Sequence, residues 1–320
     1  MRIDYTSILP IDPLPEMLKS IPPFIRLQIY ENIFELPDDS DTMDDVRKQC
    51  WRDEDFLKEA RKQDENGLWP PRQEFSKDHH KAGIQFFSQV IKLHALLTLG
   101  GAVKVDEVQK GIVALLKMQQ EDGKFPLFYQ HQGYALWVLI NYGLQGNPFV
   151  DRGMRWLLKR QREDGGWLHP VQVPRGQEEK DYPSCIWTTV HALWPLVLHT
   201  VYSKDERITK GIEYLLDNFL NLNHTAFFNT PDAWDYLYIG HDETACFRGG
   251  TLKMLEIAIK GGFDRSHPVI KKASNWLREQ QLDNGFFPAI AGKDTQGDYL
   301  VTVRTLTVLK KLFPESVIID

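Results

Sequence analysis

Three ionisable residues stand side by side in the stretch GHDETACFR, at positions 241 to 243. Small and apolar residues follow His241, Asp242 and Glu243 at once, as in a helix that enters a core. A carboxylic acid that shares a poorly solvated place with other acids has a raised pKa, so it can donate its proton to a substrate. A carboxylate in the first turn of a helix can equally be a cap. The sequence leaves both explanations open for Asp242.

Histidine, tyrosine and acidic residues recur at the starts of four other apolar stretches. These residues are Asp78, His79 and His80; His131, Gln132 and Tyr134; Asp181, Tyr182 and Cys185; and Asp298 and Tyr299. Helix capping explains any one of these positions about as well as chemistry does, but it does not explain the whole set. We therefore predict that these side chains gather at one mouth of a shared apolar hollow.

A repeated loop precedes these polar residues. Each copy is an amphipathic helical run followed by Gln, by Asp or Asn with Gly, and by an aromatic residue. The copies are EARKQDENGLW (59 to 69), LLKMQQEDGKF (115 to 125), LLKRQREDGGW (157 to 167) and WLREQQLDNGFF (276 to 287). Glycine ends a helix by taking the left-handed conformation, which lets the aromatic residue fold back and pack. A fifth copy, at 211 to 228, keeps the helix and the aromatics without the Gln or the Gly.

A second, more apolar helix is predicted after each loop, at 81 to 100, 133 to 143, 184 to 199, 243 to 262 and 298 to 312. The first helix of each pair has one charged face and the second is apolar nearly all round, which indicates an outer and an inner helix. Such pairs, recurring roughly every fifty residues, predict an all-α fold. We expect a closed double ring of about five to six hairpins.

The domain prediction is a single domain in two parts. Residues 1 to 48 form an N-terminal extension, in which PPFIRLQIYENIFEL is a helix that completes the inner ring and starts with proline. Residues 49 to 320 form the ring of hairpins.

Composition excludes several classes of partner. The 320 residues carry a formal net charge of -6, and nucleic-acid binding needs a clustered basic surface, so we expect no nucleic-acid partner. No apolar run is long enough to predict a membrane-spanning helix or a signal peptide. The three cysteines are odd in number and scattered, which favours a reducing compartment and a cytoplasmic protein. Contact with a membrane surface and the oligomeric state are left open.

The repeat RGMRWLLKRQREDGGW (152 to 167) resembles the Gln-Trp repeat of the squalene cyclase, terpene cyclase and protein prenyltransferase β-subunit superfamily. The resemblance extends over roughly residues 50 to 312 and is strongest to short bacterial members with a single toroid. It implies an α/α toroid around an apolar cavity.

The stretch GHDETACFR also resembles the Asp-X-Asp-Asp-Thr-Ala motif of class II terpene cyclases, which protonate an alkene or epoxide. This resemblance implies that Asp242 is the proton donor and that Glu243 and His241 tune it, although Gly240 stands where the first aspartate is expected. The substrate would then be an isoprenoid, and no cofactor is required. The residues expected to contact it are His80, His131, Tyr134, Tyr182, Trp187, Trp234, Phe247, Arg248 and Tyr299.

Three alternatives remain. The zinc site of prenyltransferase β-subunits resembles a set formed by Asp181, Cys185 and His241, although the family separates its Asp and Cys by two positions rather than four. Thiolate, imidazole and carboxylate ligands with one open position suit catalytic zinc. A toroid that cleaves or eliminates sugars would use His131, Tyr134 and His241 as acid and base. A non-catalytic toroid that binds a lipid or a protein is the last alternative.

Overall fold

The structure is a computed structural model that describes residues 2–71, 81–221, 234–238 and 249–319. It divides into two compact units. The terminal unit comprises Met1–Asp53, Pro231–Ile239 and Gly249–Asp320, and the middle unit comprises Glu54–Thr230 and Gly240–Arg248. The prediction of a single domain over the whole chain stays a prediction. Within the described ranges, no helix has both the length and the apolar composition that a membrane span requires.

The middle unit consists of helices joined by loops. Its α-helices are α4 (Glu54–Ala60), α5 (Lys81–Thr98), α6 (Asp106–Leu116), α7 (Tyr129–Asn141), α8 (Pro148–Leu158), α9 (Ile186–Leu196) and α10 (Glu206–Asp217). Every residue of α9 is buried, and so are nearly all residues of α7. By contrast, α6, α8 and α10 each bury only one face. The predicted all-α class and the alternation of outer and inner helices are therefore confirmed.

The repeated glutamine joins each loop of the middle unit to the next outer helix. Its side-chain amide donates to the carbonyl of the glycine four residues later and to a carbonyl near the start of that helix. These bonds are Gln63 to Gly67 (3.2 Å) and Glu107 (2.8 Å), Gln119 to Gly123 (3.0 Å) and Phe149 (2.8 Å), and Gln161 to Gly165 (2.6 Å) and Arg207 (2.7 Å). The three glycines have positive φ angles, which only glycine adopts without strain. The repeat therefore encodes the joint between successive hairpins.

The aromatic residue after each glycine anchors the loop to the inner helix. Its side chain is buried, and its backbone N–H donates to a polar side chain in the first half of that helix. These bonds are Trp69 to Gln89 Oε1 (3.3 Å), Phe125 to Gln132 Oε1 (2.7 Å) and Trp167 to Thr189 Oγ1 (2.9 Å). An unpaired buried N–H would destabilise the fold by about 1 to 3 kcal/mol. The inner-helix polar residue is thus a structural part of the repeat.

The terminal unit contains the remaining elements. Its helices are α1 (Leu14–Met17), α2 (Pro23–Asn32), α3 (Asp41–Arg52), α11 (Thr251–Lys260), α12 (Pro268–Arg278), α13 (Tyr299–Leu312) and α14 (Pro314–Val317). Strand β1 (Arg2–Ile3) pairs antiparallel with β4 (Ile318–Ile319), and β2 (Phe287–Pro288) pairs antiparallel with β3 (Gly297–Asp298). The helix predicted in the N-terminal extension is confirmed as α2, and it begins at Pro23.

The fourth repeat uses the same joint within the terminal unit. Gln281 donates to the carbonyl of Gly285 at 2.7 Å and to the carbonyl of Ile11 at 2.7 Å. The backbone N–H of Phe287 donates to Thr302 Oγ1 of α13 at 3.0 Å. The N-terminal segment therefore occupies the place that an outer helix takes in the other repeats.

One predicted inner helix is wrong at its start. The sequence predicted a helix over 243 to 262 with Gly249 and Gly250 inside it, whereas α11 begins at Thr251. Gly250 has φ 83°, a left-handed conformation that a right-handed helix cannot include. The two glycines therefore precede the helix and set the entry of the chain into it. The inner helices predicted near 81, 133, 184 and 298 are confirmed as α5, α7, α9 and α13.

Candidate functional site

Three inner helices of the middle unit, α5, α7 and α9, pack against one another on the side away from their outer helices. On α7, Gln132 and Leu136 lie against Gly153 of α8, so Tyr134 and Trp137 lie on the other side of the helix. Gly133 faces α9, where an added Cβ atom would stand 2.0 Å from the carbonyl oxygen of His191. This close approach holds α7 and α9 together along the face that carries the aromatic residues.

An aromatic cluster occupies this face and consists of His94, Tyr134, Trp137 and Trp194. The Trp137 and Trp194 rings stack with centroids 3.9 Å apart and planes 18° apart. His94 meets the edge of Trp137 at 5.0 Å, and its Nδ1 shares a hydrogen bond with the Tyr134 hydroxyl. All four residues are buried. The arrangement places the π faces of several rings in an environment with little water.

A histidine cluster lies at the start of α7 and consists of Gln130, His131 and His169 with Phe87 and Phe128. Phe87 meets His131 edge to face at 5.1 Å, and Phe128 lies 5.3 Å from His169. The side-chain amide of Gln130 lies 2.7 Å from His169 Nε2. The three polar residues are almost fully buried. They form a buried polar group in contact with two phenylalanine rings.

Both histidines of this cluster are neutral at pH 7. Burial lowers the pKa of His131 to about 3, with a further contribution from His169. Burial also lowers the pKa of His169 to about 4. A neutral imidazole accepts a proton or a hydrogen bond and does not supply a proton. The cluster can therefore act as a base or as a hydrogen-bonding site, but not as the initiating acid.

Charged side chains are absent from two of these inner helices. Neither α7 (YQHQGYALWVLIN) nor α9 (IWTTVHALWPL) contains Asp, Glu, Lys or Arg. On α5, Lys92 forms an ion pair with Glu59 of α4. Among the residues that the structure describes, the site is thus apolar and aromatic, with neutral polar groups at one end. Such a surface suits an apolar ligand and any cation that forms on it.

Several predicted site residues lie outside the residues that the structure describes: His80, His241, Asp242, Glu243, Phe247 and Arg248. Of the others, His131 and Tyr134 belong to the two clusters. Trp187 is buried on α9, where its carbonyl contacts His191 Nδ1 at 2.7 Å. Tyr182 follows a short 3-10 helix, and its hydroxyl donates to Gln177.

The remaining two predicted substrate contacts belong to the terminal unit. Trp234 is buried, and its carbonyl accepts hydrogen bonds from the N–H and the hydroxyl of Thr251 at the start of α11. Tyr299 is 41% exposed and packs edge to face against Phe286 at 5.3 Å. Their roles in binding a substrate stay predictions.

The two described members of the zinc set have different surroundings. Asp181 is exposed in the 3-10 helix Glu179–Asp181, while Cys185 is fully buried and its N–H donates to the carbonyl of Trp167 at 2.9 Å. In the described part of the chain, no set of three or more His, Cys, Asp and Glu side chains could hold a metal ion. His241 lies outside that part, so the zinc prediction stays untested.

The sequence analysis did not identify His94, His169, Gln130, Phe87 or Phe128 as site residues. His169 follows directly on the third repeat loop, in GGWLHPVQ. There it is the N-cap of a 3-10 helix (Pro170–Gln172) and accepts from the N–H of Val171. A histidine before proline, two residues after the repeat tryptophan, is the signal that would have identified it.

No family model and no curated protein matches the chain. Among solved structures it is similar to a type II terpene cyclase from Scytonema, at 15% identity over 91% of this chain and 88% of that chain, with a TM-score of 0.49. It is also similar to a polysaccharide lyase, at 14% identity over 93% and 92%, with a TM-score of 0.49. A glycosyl hydrolase of family 88 from Bacteroides vulgatus is similar at 12% identity over 93% and 95%, with a TM-score of 0.48.

Proposed function

We propose that the protein is an isoprenoid cyclase or isomerase of the class II type. Its hairpins close an α/α toroid, and the aromatic cluster lines the cavity that holds the polyene. Asp242 protonates the substrate, and Glu243 and His241 tune the pKa of Asp242. The reaction requires no cofactor.

The observation that carries this proposal is the aromatic cluster on helices without charged side chains. Trp137 and Trp194 stack at 3.9 Å, and Tyr134 and His94 extend the same surface. An aromatic face attracts a cation by about 0.5 to 2 kcal/mol, more when water is excluded. These aromatic residues thus support carbocation chemistry as the proposed reaction.

The histidine cluster supplies a base for the last step of such a reaction, in which the final carbocation loses a proton. Protonation of one alkene carbon leaves a cation on the other carbon, and the π electrons of a second alkene then form the new carbon–carbon bond. Loss of a proton from a neighbouring carbon restores a double bond and returns the charge to a base. His131 and His169 are both neutral, so either imidazole can accept that proton.

Product analysis tests this function. Purified protein is incubated with squalene, geranylgeraniol and geranylgeranyl diphosphate, and cyclised products are identified by gas chromatography and mass spectrometry. We expect a product from the wild type and none from Asp242→Asn, with a thermal midpoint within about 1 °C of the wild type. Asp283→Asn, at an exposed loop position, is the matched control and should retain activity. Undiminished product from Asp242→Asn would contradict the proposal.

A second candidate is elimination or hydrolysis of a sugar polymer. The neutral imidazole of His131 and the Tyr134 hydroxyl favour it, because a base and an acid are both required. The lack of Lys and Arg on α7 and α9 disfavours uronate substrates, whose carboxylates need cationic partners. A new ultraviolet-absorbing double bond formed from a uronate polymer would support this candidate over the cyclase.

Two simple measurements address the remaining alternatives. Metal analysis of the purified protein tests the zinc set, because bound zinc that is lost in Cys185→Ala would support it. A non-catalytic toroid would be stabilised against heat by a lipid without forming any product.

A further inference from the structure

Gln130 has one buried polar atom without a partner. Its side chain is 2% exposed, and the amide nitrogen Nε2 lies 2.7 Å from His169 Nε2. The amide oxygen Oε1 is buried and has no hydrogen-bond partner among the described residues. By contrast, Gln132 uses both ends of its amide in the repeat loop, where Oε1 accepts from Phe125 and Nε2 donates to Gly123. Gln130 therefore carries an acceptor that the fold itself does not use.

A second buried group without a partner lies on α9. Thr188 Oγ1 is buried and makes no hydrogen bond within the described part of the chain. A threonine hydroxyl in a helix can donate to the carbonyl four residues earlier, but the carbonyl of Ser184 lies before the first residue of α9 and accepts from the Tyr214 hydroxyl instead. The next residue, Thr189, does make this bond, to the carbonyl of Cys185 at 2.8 Å. A buried polar group left unpaired in this way indicates a missing partner.

Both groups lie beside the close contact between α7 and α9. An added Cβ atom at Gly133 of α7 would stand 3.1 Å from the backbone nitrogen of Ala192 on α9. Gln130 precedes Gly133 by three residues and Thr188 precedes Ala192 by four, so each lies one turn before the contact on the same side of its helix. The two stacked tryptophans of the aromatic cluster meet further along both helices. The helices therefore run in the same direction, and the two unpaired groups belong to the same level of the site.

Gln130 also lies on the face of α7 that carries the aromatic cluster. Tyr134 and Trp137 follow it by four and seven residues, a spacing that places all three side chains on one face of a helix. Trp137 is about 10 Å further along the helix axis, at 1.5 Å for each residue. A ligand whose hydrocarbon part contacts the aromatic cluster would thus have one end beside Gln130 and Thr188.

The chemistry of the two unpaired groups selects one kind of ligand group. An amide oxygen only accepts, whereas a threonine hydroxyl can both donate and accept. A ligand hydroxyl matches this pair, because it can donate to Oε1 and accept from Oγ1. A carbonyl, ether or phosphate oxygen has no hydrogen to give to Oε1. An ammonium group has one, but α7 and α9 contain no Asp or Glu to offset its buried charge.

We propose that Gln130 Oε1 and Thr188 Oγ1 together bind a hydroxyl group of the ligand, so that the substrate is an isoprenoid alcohol. The hydroxyl donates to Gln130 and accepts from Thr188, and the hydrocarbon chain extends from there to the aromatic cluster. This inference rests on the proposed function, because it names the substrate class of the same site.

Four probes with one hydrocarbon chain test the inference. They are geranylgeraniol, the corresponding aldehyde, the hydrocarbon that lacks the oxygen, and geranylgeranyl diphosphate. Binding is measured by quenching of tryptophan fluorescence. We expect the alcohol to bind about tenfold more tightly than each of the others, since a hydrogen bond to an otherwise unpaired buried acceptor contributes about that factor. The aldehyde is the same size as the alcohol but cannot donate, so its weaker binding identifies the protein group as the acceptor.

Three variants extend the test. Gln130→Met keeps the size of the side chain without its amide and should bind the alcohol and the hydrocarbon within about threefold of each other. Thr188→Val should weaken alcohol binding and leave the thermal midpoint unchanged or higher, because it removes a buried hydroxyl that has no partner. Thr189→Val is the matched control for stability: it removes the bonds to Cys185 and Trp167 and should lower the midpoint by about 2 °C or more. If Gln130→Met fails to fold, Thr188→Val and the wild-type comparison carry the test.

Each other outcome overturns a defined part. An aldehyde that binds as tightly as the alcohol overturns the acceptor role of Gln130. A Thr188→Val protein destabilised as much as Thr189→Val overturns the assignment of Thr188 to the ligand, because its hydroxyl would then have a structural partner such as a buried water. Equal binding of the alcohol and the hydrocarbon, or a diphosphate that binds more tightly, overturns the substrate class, and cyclised product from any substrate would still support the proposed function. If no probe binds and no product forms, the proposed function fails together with this inference.

Discussion

Replacement of Gly133 by alanine should destabilise the contact between α7 and α9. The added Cβ atom would stand 2.0 Å from the carbonyl oxygen of His191 and 2.6 Å from its carbonyl carbon, whereas ordinary contacts begin at 3.4 Å. The helices would have to separate by about 1.4 Å, and both partners are backbone, which cannot rotate away. Overpacking of this kind costs about 3 kcal/mol, and the better helix propensity of alanine offsets about 1 kcal/mol. A net loss of about 2 kcal/mol should lower the thermal midpoint by about 4 to 8 °C.

Thermal unfolding and near-ultraviolet circular dichroism measure this effect. The second method reports on the stacked Trp137 and Trp194 rings, and we expect its signal to weaken as the helices separate. Gly83→Ala is the matched control, because an added Cβ there meets only the side chain of Leu127, which can move aside. It should shift the midpoint by less than about 2 °C. A Gly133→Ala protein as stable as the Gly83→Ala control would refute the close approach of these helices.

Three further substitutions test the scaffold and the site. Gln161→Leu removes two hydrogen bonds, at 2.6 and 2.7 Å, and should lower the free energy of unfolding by about 2 kcal/mol in urea titrations; Gln120→Leu, at an exposed position of an equivalent loop, should not. Tyr134→Phe breaks the hydrogen bond to His94 and should cost about 1 to 2 kcal/mol, and a smaller loss would show that the bond is weak. Since the pKa of His131 falls to about 3 on folding, the unfolded chain binds more protons below pH 6.5 and stability decreases as the pH falls. The thermal midpoint of His131→Phe should therefore change less between pH 7 and pH 5 than that of the wild type, by an amount that corresponds to about 2 kcal/mol. An equal change in both proteins would contradict the lowered pKa of His131.

The scaffold could be predicted because its signals are local. The spacing from Gln161 to Gly165 and Trp167 indicates a helix end, a left-handed turn and a buried aromatic residue, and all three are found. The second hydrogen bond of the glutamine reaches Arg207, which is far away in sequence. No local pattern indicates that contact, but it follows once the repeats are known to stack. The repeat therefore predicts the hairpins well and their joints only indirectly.

The start of α11 and the histidine cluster could not be predicted in the same way. Apolar periodicity does not distinguish a glycine in a helix from one with a left-handed φ, so Gly250 was placed inside the helix that it precedes. His169 gains its importance from Gln130, 39 residues away. A pattern of residue types along one helix cannot reveal such a pairing, because it depends on which loop comes to lie beside which helix.

The repeat nevertheless indicates which positions of the inner helices belong to the aromatic cluster. Each inner helix of the middle unit has one polar residue that binds the N–H of the repeat aromatic residue: Gln89, Gln132 and Thr189. Five residues after each of these stand His94, Trp137 and Trp194, and neighbouring members of this set are in contact at 5.0 and 3.9 Å. Gln89, Gln132 and Thr189 all have to accept the N–H of the loop, which is why all three are polar. The residues five positions later do not bind the loop, and their types differ. Substitutions that alter ligand choice without loss of stability should therefore concentrate five residues after the anchoring residue rather than at the anchoring residue itself.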